Sequence, residues 1–193
     1  MFNRMLGKTR YVVCRLFVHL AGSEVAPILG TLNDVARFVL QNEGDMETTS
    51  EGLVRVCESL LQYDEYWTSA ANEGDVFWSE GEAGDFVNEL FTDSAQRYLS
   101  EPDYTSPNTN EPLSAPATRN VVVMLTAAFE GEVPELETDL SNIQALKQGL
   151  KALISLHYKN KIRAAQVHFS PAQFGDELTN DQLLQHYPEL IPL

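Results

Sequence analysis

The chain has 193 residues, of which 44% are hydrophobic and 21% charged, a composition typical of a globular protein with one core. Its 28 acidic and 13 basic residues give a formal net charge of −15 at pH 7, a field that repels phosphate backbones and argues against nucleic-acid binding. Two cysteines are too few for a disulfide scaffold, and no apolar stretch is long enough to predict a membrane span.

The acidic residues are concentrated in the middle third of the chain. Residues 43–111 hold 17 acidic residues against two basic ones, so this segment carries a net charge of −15. Such a field attracts a basic partner, and it also keeps a protein soluble without any partner. Both interpretations stay open. The partner we expect is a protein, basic if this field steers it, and neither nucleic acid nor an integral membrane segment is predicted.

The first predicted elements are a strand and two helices. Tyr11–Leu20 alternates β-branched and aromatic residues, which predicts a strand. Pro27 suits the first turn of a helix that continues to about Gln41. Thr48 and Glu51 have capping-box spacing, which predicts the start of a second helix.

The N-terminal run also bears on the compartment. Arg15 and His19 interrupt the apolar stretch that follows the basic N-terminus, where a signal peptide carries an uninterrupted hydrophobic region. Cys14 lies in an apolar strand pattern and Cys57 in a helical one, so both are expected to be buried thiols. We therefore expect a cytoplasmic protein without a signal peptide or a disulfide.

The middle of the chain is predicted to hold a loop, a helix and a linker. Small polar residues over Thr68–Asp75 predict a loop, and Glu82–Leu99 has the apolar spacing of a third helix. The segment Glu101–Thr118 contains four prolines among serine, threonine and asparagine, which is typical of an extended linker.

The residues after this linker predict a strand, a helix, a strand and a helix. Asn120–Phe129 is continuously apolar, which indicates a central strand covered on both faces. A helix is predicted over Asp139–His157 and a strand over Ile162–Phe169. Thr179–Gln182 has capping-box spacing and opens a short helix that ends near Tyr187.

Together these elements predict an α+β fold, with a mixed sheet of about three to four strands packed against about five helices around one core. We divide the chain into a strand-plus-helix N-terminal lobe (1–100), a Pro-rich linker (101–118) and a β-α-β-α C-terminal lobe (119–193). Tyr11–Leu20 and Asn120–Phe129 are both strongly apolar strands, so we expect them to be neighbours in a sheet that the two lobes share.

Two blocks of sequence carry a family resemblance. The first is TTSEGLVRVCESLLQYDEYW at residues 48–67. The second comprises NVVVMLTAAFEG at residues 120–131 and RAAQVHFSPAQFGDELTNDQLLQHYPELIPL at residues 163–193, with its Tyr-Pro-x-Leu-x-Pro-Leu ending. Over roughly residues 11–193 the chain resembles a family of unknown function found in cyanobacteria and chloroplasts. The resemblance implies that family's fold and a photosynthetic setting, and it implies no catalytic residues.

No pattern in the sequence predicts catalysis, a cofactor or a metal site. The histidines are scattered, and none has metal-ligand spacing; they are His19, His157, His168 and His186. Neither a Gly-rich phosphate loop nor a GxSxG nucleophile elbow occurs. The acidic clusters lack the spacing of a calcium-binding loop. We therefore predict no catalytic, cofactor-binding or metal-binding residues.

The candidate interaction surface combines an aromatic and acidic segment with the C-terminal tail. Its residues are Trp67, Phe77, Trp78, Glu80, Glu82, Asp85, Tyr187, Leu190 and Leu193. If Phe77 and Trp78 are exposed, they can anchor a partner, whereas buried rings would fasten the segment to the core. The tail either packs back on the sheet or offers a short linear motif to a partner.

The leading hypothesis is a non-catalytic interaction or regulatory protein that binds a protein partner through this surface. One alternative is a self-associating structural protein that forms a homo-oligomer through a sheet edge or the tail. The other is an enzyme with a dispersed site. Its first suspects are three residues expected near strand ends, namely Cys14, Glu130 and His168.

Overall fold

A computed structural model describes residues 8–42, 44–97, 119–171, 176 and 178–193. These residues form five α-helices and a single five-stranded sheet. In chain order the elements are β1 (Tyr11–Ala21), α1 (Ala26–Gln41), α2 (Met46–Gln62), β2 (Trp67–Phe77), α3 (Glu80–Arg97), β3 (Asn120–Glu130), α4 (Ile143–Tyr158), β4 (Ile162–Ser170), α5 (Asn180–His186) and β5 (Ile191–Pro192). The predicted linker at 101–118 lies outside the described residues, as do Tyr98 and Leu99 of the predicted third helix.

The sheet is antiparallel, with the strand order β4-β3-β1-β2-β5. β1 is central and pairs along its length with β2 on one side and with β3 on the other. β1 and β3 are buried except at their end residues, because helices cover both faces of their apolar sequence. The α+β class is confirmed. The predicted mixed sheet of three to four strands is wrong in its strand count and in its pairing direction.

Helices pack on both faces of the sheet. On one face, alternate β1 residues such as Leu16 and Val18 form a core with the apolar sides of α1, α2 and α4. On the other face, two smaller clusters lie side by side. Val13 packs with Leu90 of α3, and Phe17 packs with Leu183 of α5. Arg15 lies between Val13 and Phe17 on this second face, so a charged side chain separates the two apolar clusters.

The predicted loop at Thr68–Asp75 is wrong, because this segment is most of strand β2. Its serine, alanine, asparagine, glycine and aspartate residues have low strand propensity, but seven of the eight residues of the segment pair in register with β1. Small residues also let the two strands approach closely. A Cβ atom on Gly74 would lie 2.4 Å from the carbonyl oxygen of Val13. Tertiary pairing therefore overrides local propensity here.

Two helix starts also differ from the prediction. The N-cap of α2 is Asp45, whose carboxylate accepts a 2.7 Å bond from the Thr48 N–H, so the predicted Thr48 and Glu51 capping box is wrong. Helix α4 begins after its N-cap residue Asn142 and not at Asp139, the predicted start. The Thr179 and Gln182 capping box of α5 is confirmed by both of its reciprocal bonds.

Cys14 and Cys57 are buried thiols, as predicted. Burial raises the pKa of Cys14 to about 12 and raises the pKa of Cys57 as well, because neither thiolate can be hydrated. Among the described helices, none is long and apolar enough to cross a membrane.

Candidate interaction surface

Strand β2 is covered along one edge only at its beginning. There β5 pairs with Ser69 and Ala70, and the Leu193 N–H donates a 3.0 Å bond to the Thr68 carbonyl. From Asn72 to Phe77, β1 is the only strand that pairs with β2 within the part of the chain that the structure describes. Among the described strands, none covers the outer edge of the second half of β2, which we call the free edge.

The backbone groups at this edge follow from the alternation of the strand. Every second residue of β2, counted from Thr68, directs its N–H and C=O groups away from β1. Asn72, Gly74 and Val76 therefore present these groups at the free edge. The Val76 N–H is bonded to the carboxylate of Asp75 at 2.7 Å. Gly74 is exposed and Asn72 is half-buried. Within the part of the chain that the structure describes, the N–H and C=O groups of Asn72 and Gly74 therefore have no hydrogen-bond partner at this edge.

Exposed acidic side chains lie on this part of β2 and at the start of the helix that follows it. Asp75 lies on β2, and Glu80, Glu82 and Asp85 lie on the first turns of α3. Within the described residues, no lysine or arginine forms an ion pair with any of these four carboxylates. Acidic groups near the start of a helix also interact favourably with the helix dipole, so part of their placement serves α3 itself.

Of the three aromatic candidates, Trp78 is the most exposed. Trp67 is buried in the core beneath β2. Phe77 is half-buried, with its ring centroid 5.3 Å from that of Phe86. Trp78 is 41% exposed, at the turn between β2 and α3. The exposed indole therefore belongs to the same short segment, residues 75–85, as the four unpaired carboxylates. Together with the neighbouring Glu73 we name them the acidic edge, which comprises Glu73, Asp75, Trp78, Glu80, Glu82 and Asp85.

The C-terminal tail does not belong to the acidic edge. Tyr187 is buried, and its hydroxyl donates a 2.9 Å bond to Ser170 Oγ. Leu190 and Leu193 are half-buried, and the tail packs against the sheet through β5. The tail joins β2 at Thr68, on the order of 30 Å along the strand from Trp78. The nine sequence-predicted residues are thus divided between the two ends of β2.

Glu73 ties the acidic edge to a buried arginine. Arg15 is 2% exposed, and its Nε donates a 2.8 Å bond to Glu73. The same guanidinium reaches α3 through Asp93 at 2.6 Å and Ser94 Oγ at 2.8 Å. The pKa of Asp93 is lowered: its burial opposes this shift, and its ion pairs with Arg15 and Arg97 outweigh the burial. Sequence reasoning missed this network. The sequence feature that indicates such a network is a charged residue, Arg15, inside an apolar strand.

A cleft of about 490 Å³ lies beside the free edge, on the opposite face of the sheet from Arg15. It is lined by β1, by β2 and by the segment Leu136–Asp139. The Asn72 side chain holds this segment, donating to the Thr138 carbonyl at 3.0 Å and accepting from the Leu140 N–H at 2.8 Å.

Two carboxylates of the cleft are held ionised. Arg10 donates hydrogen bonds to Glu137, and these bonds lower the pKa of Glu137. Hydrogen bonds from the Ser141 hydroxyl and N–H lower the pKa of Asp139. Acidic groups therefore flank the free edge on both faces of the sheet.

The suspects for a dispersed catalytic site do not converge. Cys14 packs in the core under α1, α2 and α4, whereas His168 is paired in register with Met124 on the opposite face. Nδ1 of His168 is buried without a hydrogen-bond partner in the described part of the chain, so no such bond orients its imidazole. Glu130 is paired with Arg163 at 2.8 Å. These three residues form no common site.

Two other histidines are bound to hydroxyl groups. His19 Nδ1 lies 2.9 Å from Ser69 Oγ, and its Nε2 lies 3.0 Å from Asn120 Oδ1, which links three strands. His157 Nδ1 lies 2.9 Å from Ser50 Oγ, joining α4 to α2. Burial lowers the pKa of His19 and favours the neutral ring. Among the described residues, no group of three or more His, Cys, Asp and Glu side chains could hold a metal ion.

Comparison with known proteins gives a family and no characterised relative. Comparison with curated proteins and with solved structures finds no match. A family model described as "Protein of unknown function (DUF1517)" matches residues 10–193, which include every element of the fold and the whole acidic edge. The chain therefore belongs to the DUF1517 family of proteins of unknown function.

Proposed function

We propose that this chain is a non-catalytic interaction or regulatory protein that binds a basic protein partner through its acidic edge. The observation that carries the proposal is an exposed tryptophan, Trp78, in one short segment with four carboxylates that form no ion pair with a lysine or arginine of the described residues. These are Asp75, Glu80, Glu82 and Asp85. Such charges attract a basic surface over a distance of about a Debye length, roughly 8 Å at physiological salt. The indole supplies the apolar contact that holds a docked partner.

The proposal gives the two kinds of residue different tasks. Charges at the rim of an interface chiefly accelerate association and select the partner, because water still screens them in the complex. An aromatic ring that becomes desolvated on binding chiefly slows dissociation. Neutralising the carboxylates should therefore lower the association rate and its salt dependence, while removing the indole should raise the dissociation rate.

Self-association is the second candidate, and the two edges of the sheet indicate which form it would take. Two copies cannot join β2 edges without bringing Glu73 and Asp75 of each chain together, which like-charge repulsion disfavours. The opposite edge is β4. Lys161 directly precedes this strand, and Arg163 is its second residue and is paired with Glu130. A head-to-tail contact of β2 with β4 would match charge and would grow an open chain of copies.

We further propose a photosynthetic cell, in its cytoplasm or stroma, as the setting of the interaction. This part rests on the resemblance of residues 48–67, 120–131 and 163–193 to the cyanobacterial and chloroplast family. It directs the choice of lysate in the experiment below.

The test is a pull-down from phototroph lysate at low and physiological salt, with three forms of the tagged full chain. The first is unaltered. The second carries Asp75→Asn, Glu80→Gln and Glu82→Gln, which remove charge and keep shape. The third is a matched control with Glu47→Gln, Glu58→Gln and Glu65→Gln, three exposed acidic residues away from the acidic edge.

A partner recovered in stoichiometric amount by the unaltered and control chains, and about tenfold less by the acidic-edge variant, supports the proposal. Equal recovery by all three chains contradicts it. Analytical ultracentrifugation of the same proteins tests the second candidate. Oligomers that dissociate in the acidic-edge variant and persist in the control would favour self-association over a separate partner.

A further inference from the structure

We infer that the partner contributes an extended basic segment that adds to the sheet as a strand along Asn72–Val76, with cationic side chains against the carboxylates on either face. This inference rests on the proposed function and specifies its mode of binding. It concerns backbone pairing, which charge attraction alone does not require. It therefore predicts a different set of observations from a general acidic docking surface.

The first support is that the same edge already accepts an extended segment. β5 pairs antiparallel with Ser69 and Ala70, and the Leu193 N–H bonds to the Thr68 carbonyl. The backbone groups of Thr68 and Ala70 that pair with β5 point to the same side of β2 as those of Asn72 and Gly74. The free edge therefore begins where the pairing with β5 ends, and its donors and acceptors point in the same direction.

The second support is the geometry of the free edge. Gly74 lacks a side chain and is exposed, and the strand there is held against β1 so closely that a Cβ on Gly74 would strike the Val13 carbonyl. Gly74 therefore lies close against β1 and places no side chain between the edge and an incoming segment. An incoming segment of about five residues would match the length from Asn72 to Val76, at about 3.3 Å per residue.

The third support is charge on both faces of the strand that would be added. Side chains of an added strand alternate between the faces. Those on one face would meet Glu73 and Asp75, and those on the other would meet the cleft that holds Glu137 and Asp139. Of these four carboxylates, Glu73 is already paired with Arg15 and Glu137 with Arg10, which leaves Asp75 on one face and Asp139 on the other for a lysine or arginine of the segment. An acidic segment would meet like charge on both faces.

Charge also decides between the possible occupants. A second copy of β2 would bring the same acidic residues to the edge, as discussed above, and is disfavoured. Acidic residues on an exposed edge also prevent uncontrolled pairing of sheets. That protective role and selection of a basic strand are compatible, because repulsion of other edges leaves the backbone groups free for an oppositely charged segment.

The experiment uses the full chain and three synthetic octapeptides. The first alternates threonine and lysine. The second has the same sequence with every peptide nitrogen methylated, so that it keeps four ammonium groups and loses its backbone donors. The third alternates threonine and glutamate. Calorimetry measures affinity, and amide hydrogen exchange by NMR reports on Asn72 and Gly74, with Gly84 of α3 as an internal reference.

Strand addition predicts that the threonine–lysine peptide binds at least about tenfold more tightly than its methylated form, because several backbone hydrogen bonds are lost together. It also predicts slower exchange at Asn72 and Gly74 and no change at Gly84. The glutamate peptide should not bind.

Other results separate this inference from the function on which it rests. Equal affinity for the two lysine peptides, with unchanged exchange at Gly74, would overturn strand addition and leave the acidic docking surface standing. No binding of either lysine peptide would also overturn it, whatever the lysate experiment gives. Binding of the lysine peptides that persists in the Asp75→Asn, Glu80→Gln and Glu82→Gln variant would contradict the acidic edge itself.

Discussion

The two halves of β2 pair with the same strand but differ in everything around them. In the first half, Ser69 and Ala70 are buried, β5 covers the outer edge, and His19 is bonded to Ser69. In the second half, residues 73–75 are exposed, no other described strand covers the outer edge, and the side chains are acidic. The comparison teaches that a strand can be held firmly through one edge while its other edge stays available.

Arg15 is the residue that holds the open half in place, so its removal should have the largest effect. Arg15→Met keeps the length of the side chain but leaves the hydrogen-bonding groups of Glu73, Asp93 and Ser94 without their partner. We expect a loss of about 2 to 4 kcal/mol in the free energy of unfolding, measured by urea denaturation.

The matched control for this change is Arg37→Met, which breaks an exposed ion pair with Asp34 on α1. It should cause no measurable loss, because water screens such pairs. If the two variants unfold at the same urea concentration, Arg15 does not fasten the open half to α3.

The next effect is at Gly74, where the open half lies closest to β1. Gly74→Ala places a Cβ against the Val13 carbonyl, and backbone must move to relieve it. We expect a loss of about 1 to 3 kcal/mol in the free energy of unfolding. Gly84→Ala in α3 is the control, since its Cβ would meet nothing within 4 Å and a helix favours alanine. An increase in the free energy of unfolding for Gly74→Ala would contradict the close approach of Gly74 to the Val13 carbonyl.

Two histidines, His19 beside the closed half of β2 and His168 on β4, predict a dependence of stability on pH. Burial lowers the pKa of His19, and burial together with nearby Arg15 lowers the pKa of His168. The unfolded chain therefore binds more protons than the folded one as pH falls below the unfolded value of about 6.5. Stability should be complete above that pH and decrease below it.

Two variants assign this pH dependence. His19→Gln and His168→Gln should each flatten the decrease in unfolding free energy between about pH 6.5 and 5, where Asp93 and Glu137 stay ionised because their pKa values are lowered. A slope that is unchanged in both variants would mean that neither histidine loses proton affinity on folding.

The smallest effect on stability is expected at the acidic edge itself. Trp78→Ala removes a side chain that is 41% exposed and should change the free energy of unfolding by less than about 0.5 kcal/mol, while partner capture falls. Phe77→Ala, which breaks the packing on Phe86, should cost about 1 to 2 kcal/mol. Equal stability losses would show that Trp78 serves the core.

The strands that carry a strong apolar signal could be predicted, and the strand that forms the site could not. β1 and β3 follow from runs of valine, leucine and phenylalanine, and β4 from its alternation. β2 has no such run. Its residues form a strand because Gly74 and its neighbours fit closely against β1. β5 is two residues long, and only its pairing with Ser69 and Ala70 defines it.

The composition of the site was visible in the sequence, but its arrangement was not. The acidic segment and Trp78 could be selected from charge and residue type alone. Burial of Trp67 and Tyr187, however, follows from long-range packing that local pattern does not report. Arg15 is the clearest missed signal, because a charge in the middle of an apolar strand requires partners and thus marks a network.

The central claim is that β2 is closed in its first half and open in its second. Amide hydrogen exchange of the free protein tests it directly, by comparing Ala70 with Asn72 and Gly74 along one strand. We expect Asn72 and Gly74 to exchange at least about tenfold faster than Ala70, because β5 pairs with Ala70 and no other described strand pairs with Asn72 or Gly74 at that edge. Equal protection at all three positions would mean that the second half of β2 is covered as well.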